Sequence, residues 1–324
     1  MKPHPIVLVP GIMGSELSFN GSLVWTDSVR SLHLILNPSM FLPWVDLRPE
    51  RLIVKPYGKF LNHLSQKGFG DQDLFLFAFD WRLGIEHAAK ELARFVTNDV
   101  RRGSSIVIVA HSLGCLAVHW ALCNGLIPSV SVDRVIAAGP PFYGSAKSFR
   151  AIIEMPSIDD ELDWWLNLAR LRFPRIAERV VTCVSKSLMA MTSLCELMPP
   201  SSVFFLSDGS PQLFSAFQWS GWPVTLQVQL MNAENIQAQI ATLKWPAAVP
   251  KTLVLSNRWP TEVGYIIDPS KPFSIAATVN SKGDGTVAEE SARAYGANRE
   301  LIVQAKHNLL LDDSDTLFYL DTVL

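Results

Sequence analysis

The 324-residue chain contains no run of eighteen purely apolar residues, so an ordinary membrane-spanning helix is not expected. Its four cysteines, Cys115, Cys123, Cys183 and Cys195, make no C-x-x-C pair and no cysteine–histidine spacing suited to zinc. Neither a disulfide scaffold nor a metal is expected from them, and buried free thiols are the ordinary reading. A net charge of −2, with no basic stripe, argues against nucleic acid as a partner. The opening Met1-Lys2-Pro3-His4-Pro5 is not a secretory leader, because Pro10 and Gly11 interrupt the apolar stretch and no small-residue cleavage site follows. A reducing cytoplasm is the expectation. No internal repeat or low-complexity tract stands out.

Hydrophobic residues are plentiful, 48% of the chain, enough for a sizeable core. The length suggests about two domain units by the soft rule, but a single core carrying an inserted cap also reaches this size. Strand-like and helix-like segments alternate as a parallel sheet requires. Ile6–Val9 comes first, and Asp73–Phe79 reads as a continuous apolar strand buried on both faces. Gly84 to Arg101 repeats apolar residues at helical spacing (Ile85, Ala88, Ala89, Leu92, Phe95, Val96), and Ser105–Val109 and Val132–Ala138 are further strands. The alternation lapses from about Pro141 to Val249, then resumes at Thr252–Ser256 and Leu301–Val303. We therefore expect a core over residues 1–140 and 251–324, interrupted by a cap over 141–250.

Ser112 lies in Ala110-His111-Ser112-Leu113-Gly114, directly after an apolar strand and before the helix-like Cys115-Leu116-Ala117-Val118. Small residues two before and two after it allow the sharp strand-to-helix turn that lifts a serine Oγ above the sheet. Serine is a weak nucleophile unaided, so a base must be near. On this kind of elbow the order along the chain is serine, acid, histidine. Of seven histidines (His4, His33, His63, His87, His111, His119, His307) only the last two follow Ser112. His119 is seven residues on in the same helix, about 10 Å down its axis, and cannot turn back. His307, in a loop after Leu301–Val303, is the candidate base.

For the acid, Gly283-Asp284-Gly285-Thr286-Val287 fits best, its glycines freeing the backbone and Thr286 opening a helix through Arg293. The plainer alternative is a turn or N-cap aspartate. Asp208 and Asp268 compete, but Asp208 falls within the insertion and Asp268 in a proline-rich stretch. An oxyanion needs N–H donors. The amide of Leu113 is one, and that of Ile12, in Pro10-Gly11-Ile12-Met13-Gly14 after the first strand, is the best-placed second.

These stretches together resemble the lecithin:cholesterol acyltransferase family. Val7–Ser15, with Trp25 shortly after, is similar to the family's oxyanion segment, and Phe79-Asp80-Trp81-Arg82 to its tyrosine-aspartate-tryptophan-arginine segment. The elbow follows, then Gly139–Ser148, Leu197–Ser201, Pro260-Thr261 and Gly283–Val287, in the family's order. The resemblance implies an α/β-hydrolase fold, a mostly parallel sheet flanked by helices with a large cap insertion. It implies a Ser112–Asp284–His307 triad, oxyanion donors Ile12 and Leu113, and acyl transfer from a lipid or other acyl ester through an acyl-enzyme, without a cofactor. Ala110 stands where the family more often has glycine, and the N-terminal disulfide and signal peptide of secreted members are not visible. The rival readings are a carboxylesterase for short or non-lipid esters and a non-catalytic binding protein on the same fold.

Substrate contacts are expected from Met13, Trp25 and Phe142 and from the cap aromatics Phe214, Phe217, Trp219 and Trp222. Between Ser201 and Pro250 only Asp208, Glu234 and Lys244 are charged, whereas the chain's 18% would put nine there. Asp159–Phe173 reads as an amphipathic cap helix whose acids and arginines suit its dipole. Arg30–Pro49, with exposed-looking Leu32, Leu34, Ile35, Phe41 and Trp44, is either a mobile lid or a long packed loop. Lid and cap are the surfaces for any peripheral membrane contact.

Overall fold

The computed structural model describes residues 4–26, 37–100, 105–154, 186–199, 204–206, 211–212, 224–267 and 275–324. The chain begins in the core with β1 (Ile6–Val9), four buried apolar residues. It then leaves for a small antiparallel sheet of β2 (Ser15–Phe19), β3 (Ser22–Trp25) and β4 (Arg48–Leu52). Asn20 and Gly21, both at positive φ (49° and 79°), make the tight two-residue hairpin between β2 and β3.

From there strands and helices alternate. α1 (Gly58–Gln66), β5 (Leu74–Leu76), α2 (Ile85–Asn98), β6 (Ile106–His111), α3 (Leu113–Cys123), β7 (Val132–Ala138) and α4 (Ala146–Glu154) follow one another. α5 (Thr192–Glu196), β8 (Phe204–Leu206), β9 (Pro211–Gln212) and α6 (Val224–Thr242) belong to the stretch between β7 and the next core strand, β10 (Lys251–Ser256). The hairpin of β11 (Trp259–Ile267) and β12 (Ile275–Gly283), then α7 (Glu289–Ala294), β13 (Arg299–Val303) and α8 (Ser314–Val323), complete the described chain.

Six strands form one all-parallel sheet in the order β13-β10-β7-β6-β1-β5. β7 pairs directly with β10, so the intervening hundred-odd residues are an excursion from the sheet. Alternation along the strands divides the core: Val7, Val9, Ile108 and Ala110 face one cluster, and Ile6, Leu8, Val107 and Val109 the other. α3 is buried from Leu113 to Leu122, as expected of a helix with no polar stripe. β1 and β6 are neighbours whose following segments lead to opposite sides, and the crevice above such a switch is where open parallel sheets bind ligands. This is the α/β-hydrolase arrangement. No helix among the described residues is long and apolar enough to cross a membrane.

Three local expectations need correcting. Asp73–Phe79 is not a strand buried on both faces: only Leu74–Leu76 pairs, at the sheet edge, with Leu76 exposed. Its apolar run has another purpose, since Phe77 and Phe79 enter the core beyond the ladder. The β11–β12 hairpin, which builds a second sheet with β8 and β9, was not anticipated. In the described part of Arg30–Pro49, Phe41 is fully buried rather than exposed, whereas Trp44 is 72% exposed. Leu32, Leu34 and Ile35, and the helix expected over Asp159–Phe173, lie outside the described residues.

Arg82 explains why the segment around Phe41 is packed. Its guanidinium donates to both Asp80 carboxylate oxygens (2.9 and 2.6 Å) and to the carbonyls of Met40 (3.4 Å), Leu42 (2.8 Å) and Val45 (2.9 Å). Trp81 Nε1 and the Phe79 amide meanwhile donate to Ser15. Replacing Arg82 with Met is expected to cost about 3–5 kcal/mol, because the Asp80 charge is then buried without its partner. Urea unfolding measures it, and a loss below about 1 kcal/mol, the range of exposed ion pairs, would refute the clasp.

Candidate active site

Ser112 stands between β6 and α3 with φ 54° and ψ −124°, a backbone conformation that L-residues avoid. Such strain costs roughly 1–3 kcal/mol and persists only where the surroundings impose it. They do so by close approach. A Cβ on Gly11 would come within 2.8 Å of the Ser112 Cβ, and one on Gly114 within 2.5 Å of the Pro10 carbonyl. The loop after β1 and the elbow after β6 can therefore touch only through glycine. The Ser112 amide donates to Ala138 (2.9 Å), continuing the β6–β7 ladder into the turn.

His307 begins a short 3-10 turn after β13, and 195 residues of sequence separation close to a contact. Its Nε2 lies 2.9 Å from Ser112 Oγ, and its Nδ1 2.7 Å from Asp284 Oδ2. A carboxylate only accepts, so Nδ1 carries the hydrogen and the Nε2 lone pair faces the hydroxyl. The His307 amide donates to the Asp284 carbonyl (2.9 Å), which binds backbone as well as side chain to the acid. Beneath the ring lies Gly139, at φ 58°, where a Cβ would meet His307 Nδ1 and Cε1 at 2.9 Å.

Asp284 is 2% exposed and follows β12 directly. Its Oδ1 accepts the amides of Thr286 (2.9 Å) and Val287 (2.7 Å). Burial works to raise the carboxyl's pKa, but the His307 ring and these two amides outweigh it, and the net displacement is downward. One carboxylate oxygen thus closes the turn and the other faces the imidazole. Ser145, from the Gly139–Ser148 segment, donates its hydroxyl to the Thr286 carbonyl (2.6 Å) and its amide to Leu197 (2.7 Å). These two bonds link three of the stretches singled out in the sequence.

The amides of Ile12 and Leu113 have no protein acceptor among the described residues. Gly14 donates to Gly11 (3.2 Å), curling the loop, and Met13 sits at φ 61°. Trp25 is 2% exposed, packed on Phe41 and Trp81, with its indole donating to the Met13 carbonyl (3.2 Å). Its hydrogen bond supports the loop, and its ring packs into the core. Phe142 is half-buried and turns its ring to His119 and Tyr295, so its packing is with the core around α3. Phe214, Phe217, Trp219, Trp222, Asp208 and Asp268 lie outside the described residues. Two residues near the triad escaped the sequence reading. Tyr57 gives no local signal, and His111 was set aside because it precedes the serine. Among the described residues no cluster of ligating side chains could hold a metal.

The family model described as lecithin:cholesterol acyltransferase matches residues 50–221, more than half of the chain and inclusive of the elbow. The chain belongs to the lecithin:cholesterol acyltransferase family. No curated protein matches the sequence itself. Among solved structures, "The crystal structure of Tle4-Tli4 complex" contains a chain with TM-score 0.61 and 12% identity, covering 98% of this chain and 97% of that one. The mature form of the lipase BlEst2 from Bacillus licheniformis has TM-score 0.49 and 15% identity, covering 98% and 90%. Family membership and the hydrolase fold make this an enzyme of the lipase and esterase type, among the lipid acyl hydrolases and acyltransferases.

Two outcomes follow from the geometry. Gly139→Ala places a methyl against the His307 ring, so kcat/KM should fall about 100-fold. Stability should fall by about 1–2 kcal/mol, the cost of a side chain at positive φ. An unchanged rate in a folded variant would show that the ring has room. Because the Asp284 pKa is depressed on folding, its stabilisation is complete above the unfolded value, near ~4, and drains away as pH falls through the lower folded value. Asp284→Asn should remove that acid-limb component from urea unfolding curves measured between pH 2 and pH 6. Parallel curves for the two proteins would contradict the shift.

Proposed function

We propose that Ser112 is the nucleophile of a serine-dependent lipid acyl hydrolase or O-acyltransferase. The observation that carries the reading is the continuous contact Ser112 Oγ–His307 Nε2–His307 Nδ1–Asp284 Oδ2, with separations of 2.9 and 2.7 Å across the two hydrogen bonds. Ser112 attacks the ester carbonyl while His307 takes its proton. Asp284 holds the imidazole in the Nδ1–H tautomer and stabilises the cation that forms. The Ile12 and Leu113 amides, uncommitted within the described protein, receive the tetrahedral oxygen. His307 next returns the proton to the departing alcohol, leaving the acyl group on Ser112. Water or an acceptor hydroxyl, activated by the same imidazole, then releases it.

The residues between β7 and β10 serve in this reading as a cap, and the low charge and many aromatics of Ser201–Pro250 suit an acyl chain. Residues 141–250 are its span. Long-chain esters are the substrate class, and contact with a lipid surface is made through cap and lid.

The test uses nitrophenyl esters from acetate to palmitate, together with a phospholipid offered with and without a long-chain alcohol. Wild type should prefer chains of eight carbons or more, be labelled by a fluorophosphonate probe, and release fatty acid from the phospholipid. Ser112→Ala should lose the label and more than about 10⁴-fold of the rate. Fatty-acid release by Ser112→Ala at the wild-type rate would overturn the nucleophile. A maximum at acetate or butyrate, without long-chain activity, would overturn the lipid substrate and leave a carboxylesterase. Alkyl-ester formation with the alcohol would mark the enzyme as a transferase.

A further inference from the structure

His111 and Tyr57 lie outside the triad, yet both are almost wholly buried beside it. Tyr57 comes from the 3-10 turn before α1, and its ring meets that of His111 edge-on at 5.7 Å. The Tyr57 hydroxyl is 3.1 Å from His111 Nδ1 and accepts the Gly11 amide at 3.3 Å. On the other side of the ring, His111 Nε2 is 2.9 Å from the backbone carbonyl of His307. A carbonyl has no hydrogen to give, so Nε2 is the protonated nitrogen and Nδ1 the acceptor. The direction of every bond is then determined. Gly11 N–H donates to the Tyr57 oxygen, the Tyr57 hydroxyl donates to His111 Nδ1, and His111 Nε2–H donates to His307.

We infer that Tyr57 and His111 are positioning residues that lock the oxyanion loop and the base loop to one another through the nucleophile strand. The inference rests on the assignment of Ser112, His307 and the Ile12 amide made above. Gly11 immediately precedes Ile12: Tyr57 anchors its amide, Gly14 donates to its carbonyl (3.2 Å), and that carbonyl shares a peptide plane with the Ile12 N–H. His307 is gripped from both sides: its amide by the Asp284 carbonyl and its own carbonyl by His111. Ring, amide and carbonyl of the base are therefore all tethered. A shift in either loop is felt by the other through two buried side chains with no spare donors. The burial that holds His111 neutral, its pKa displaced down to about 3 by desolvation and then by the neighbouring His307, keeps this bond pattern intact across the working range. His111 has no lone pair left to act as a base, because its one acceptor nitrogen is occupied by Tyr57.

The experiment compares wild type, Ser112→Ala, Tyr57→Phe, His111→Gln and His111→Leu on a nitrophenyl ester, with melting temperature measured for each. Tyr57→Phe leaves the ring in place and removes only the hydroxyl. It should lower kcat about 10- to 100-fold with KM within about twofold, the pattern of a lost transition-state alignment. The pH profile of kcat/KM should keep its shape, since burial pushes the pKa of the Tyr57 phenol above its ordinary value, outside the working range. His111→Gln keeps a donor near the Nε2 position and should retain at least about tenfold more kcat than His111→Leu, which packs but cannot donate. If Tyr57→Phe and both His111 variants match wild type in kcat while Ser112→Ala is dead, the coupling is wrong and the nucleophile stands. If Ser112→Ala is active, the functional reading itself fails. Should His111→Leu not fold, Tyr57→Phe decides alone. A displaced pH profile in Tyr57→Phe would show that the pair takes part in proton transfer and would overturn the positioning role.

Discussion

The closeness of two backbone turns governs this site. The loop after β1 and the elbow after β6 pack so tightly that neither Gly11 nor Gly114 has room for a single methyl. That contact forces Ser112 to positive φ, and the strained turn is what raises Oγ to the rim. It also sets the Ile12 and Leu113 amides on loops already in contact. Preorganised donors are worth more than mobile ones because they reorient little as charge develops. A site assembled from backbone geometry meets this condition through glycine placement.

The remaining groups reach the rim from distant parts of the chain, and buried polar bonds hold them there. Asp284 arrives on a hairpin that departs from the sheet after β10 and is caught by its own turn and by Ser145. The segment Phe79–Arg82 ties β2 and the stretch around Phe41 to the end of the sheet through Ser15, Asp80 and three carbonyls. Glu196, on α5, accepts the Ile85 amide at 2.6 Å and so joins the excursion between β7 and β10 to the first turn of α2. Burial is the main reason its pKa rises, to about 7. Each of these groups would be costly left alone, and most of these bonds join segments far apart in sequence. Core burial makes the sheet; these bonds decide how the loops above it are held.

Much of this was legible before any coordinates, for identifiable reasons. β1, β7 and β10 are short β-rich runs between turn residues, and their apolar character follows from burial on both faces. Ser112 was readable because the elbow demands small residues at fixed offsets. His307 was readable because chain order leaves one histidine in a suitable loop. Asp284 was readable from its glycines, though the β11–β12 hairpin that delivers it was not: Thr261–Ile267 alternates weakly, and β8, one of its two partners, is remote in sequence. Asp73–Phe79 misled because apolar residues that leave a strand and enter the core look the same as residues within one. Tyr57 was invisible, since its partners lie 46 and 54 residues away and nothing local marks it.

Two other buried histidines lie near Ser112, one ending β6 and one on α3, and neither competes with His307 as the proposed base. His119, on α3, sits among the rings of Phe142, Trp245 and Tyr295. Burial and then the Lys251 charge bring its pKa down to about 4, so it is an uncharged aromatic filler. His111 is equally uncharged, but it stands 4.7 Å ring to ring from His307. Two imidazolium charges at that separation would repel by about 3–4 kcal/mol at an effective dielectric constant near ~20. A proton taken from Ser112 would be less stable on His307 if His111 were charged. Enclosure of His111, with its acceptor nitrogen given over to Tyr57, removes that penalty. In the proposed mechanism the proton then has one destination, the imidazole already aligned with Asp284.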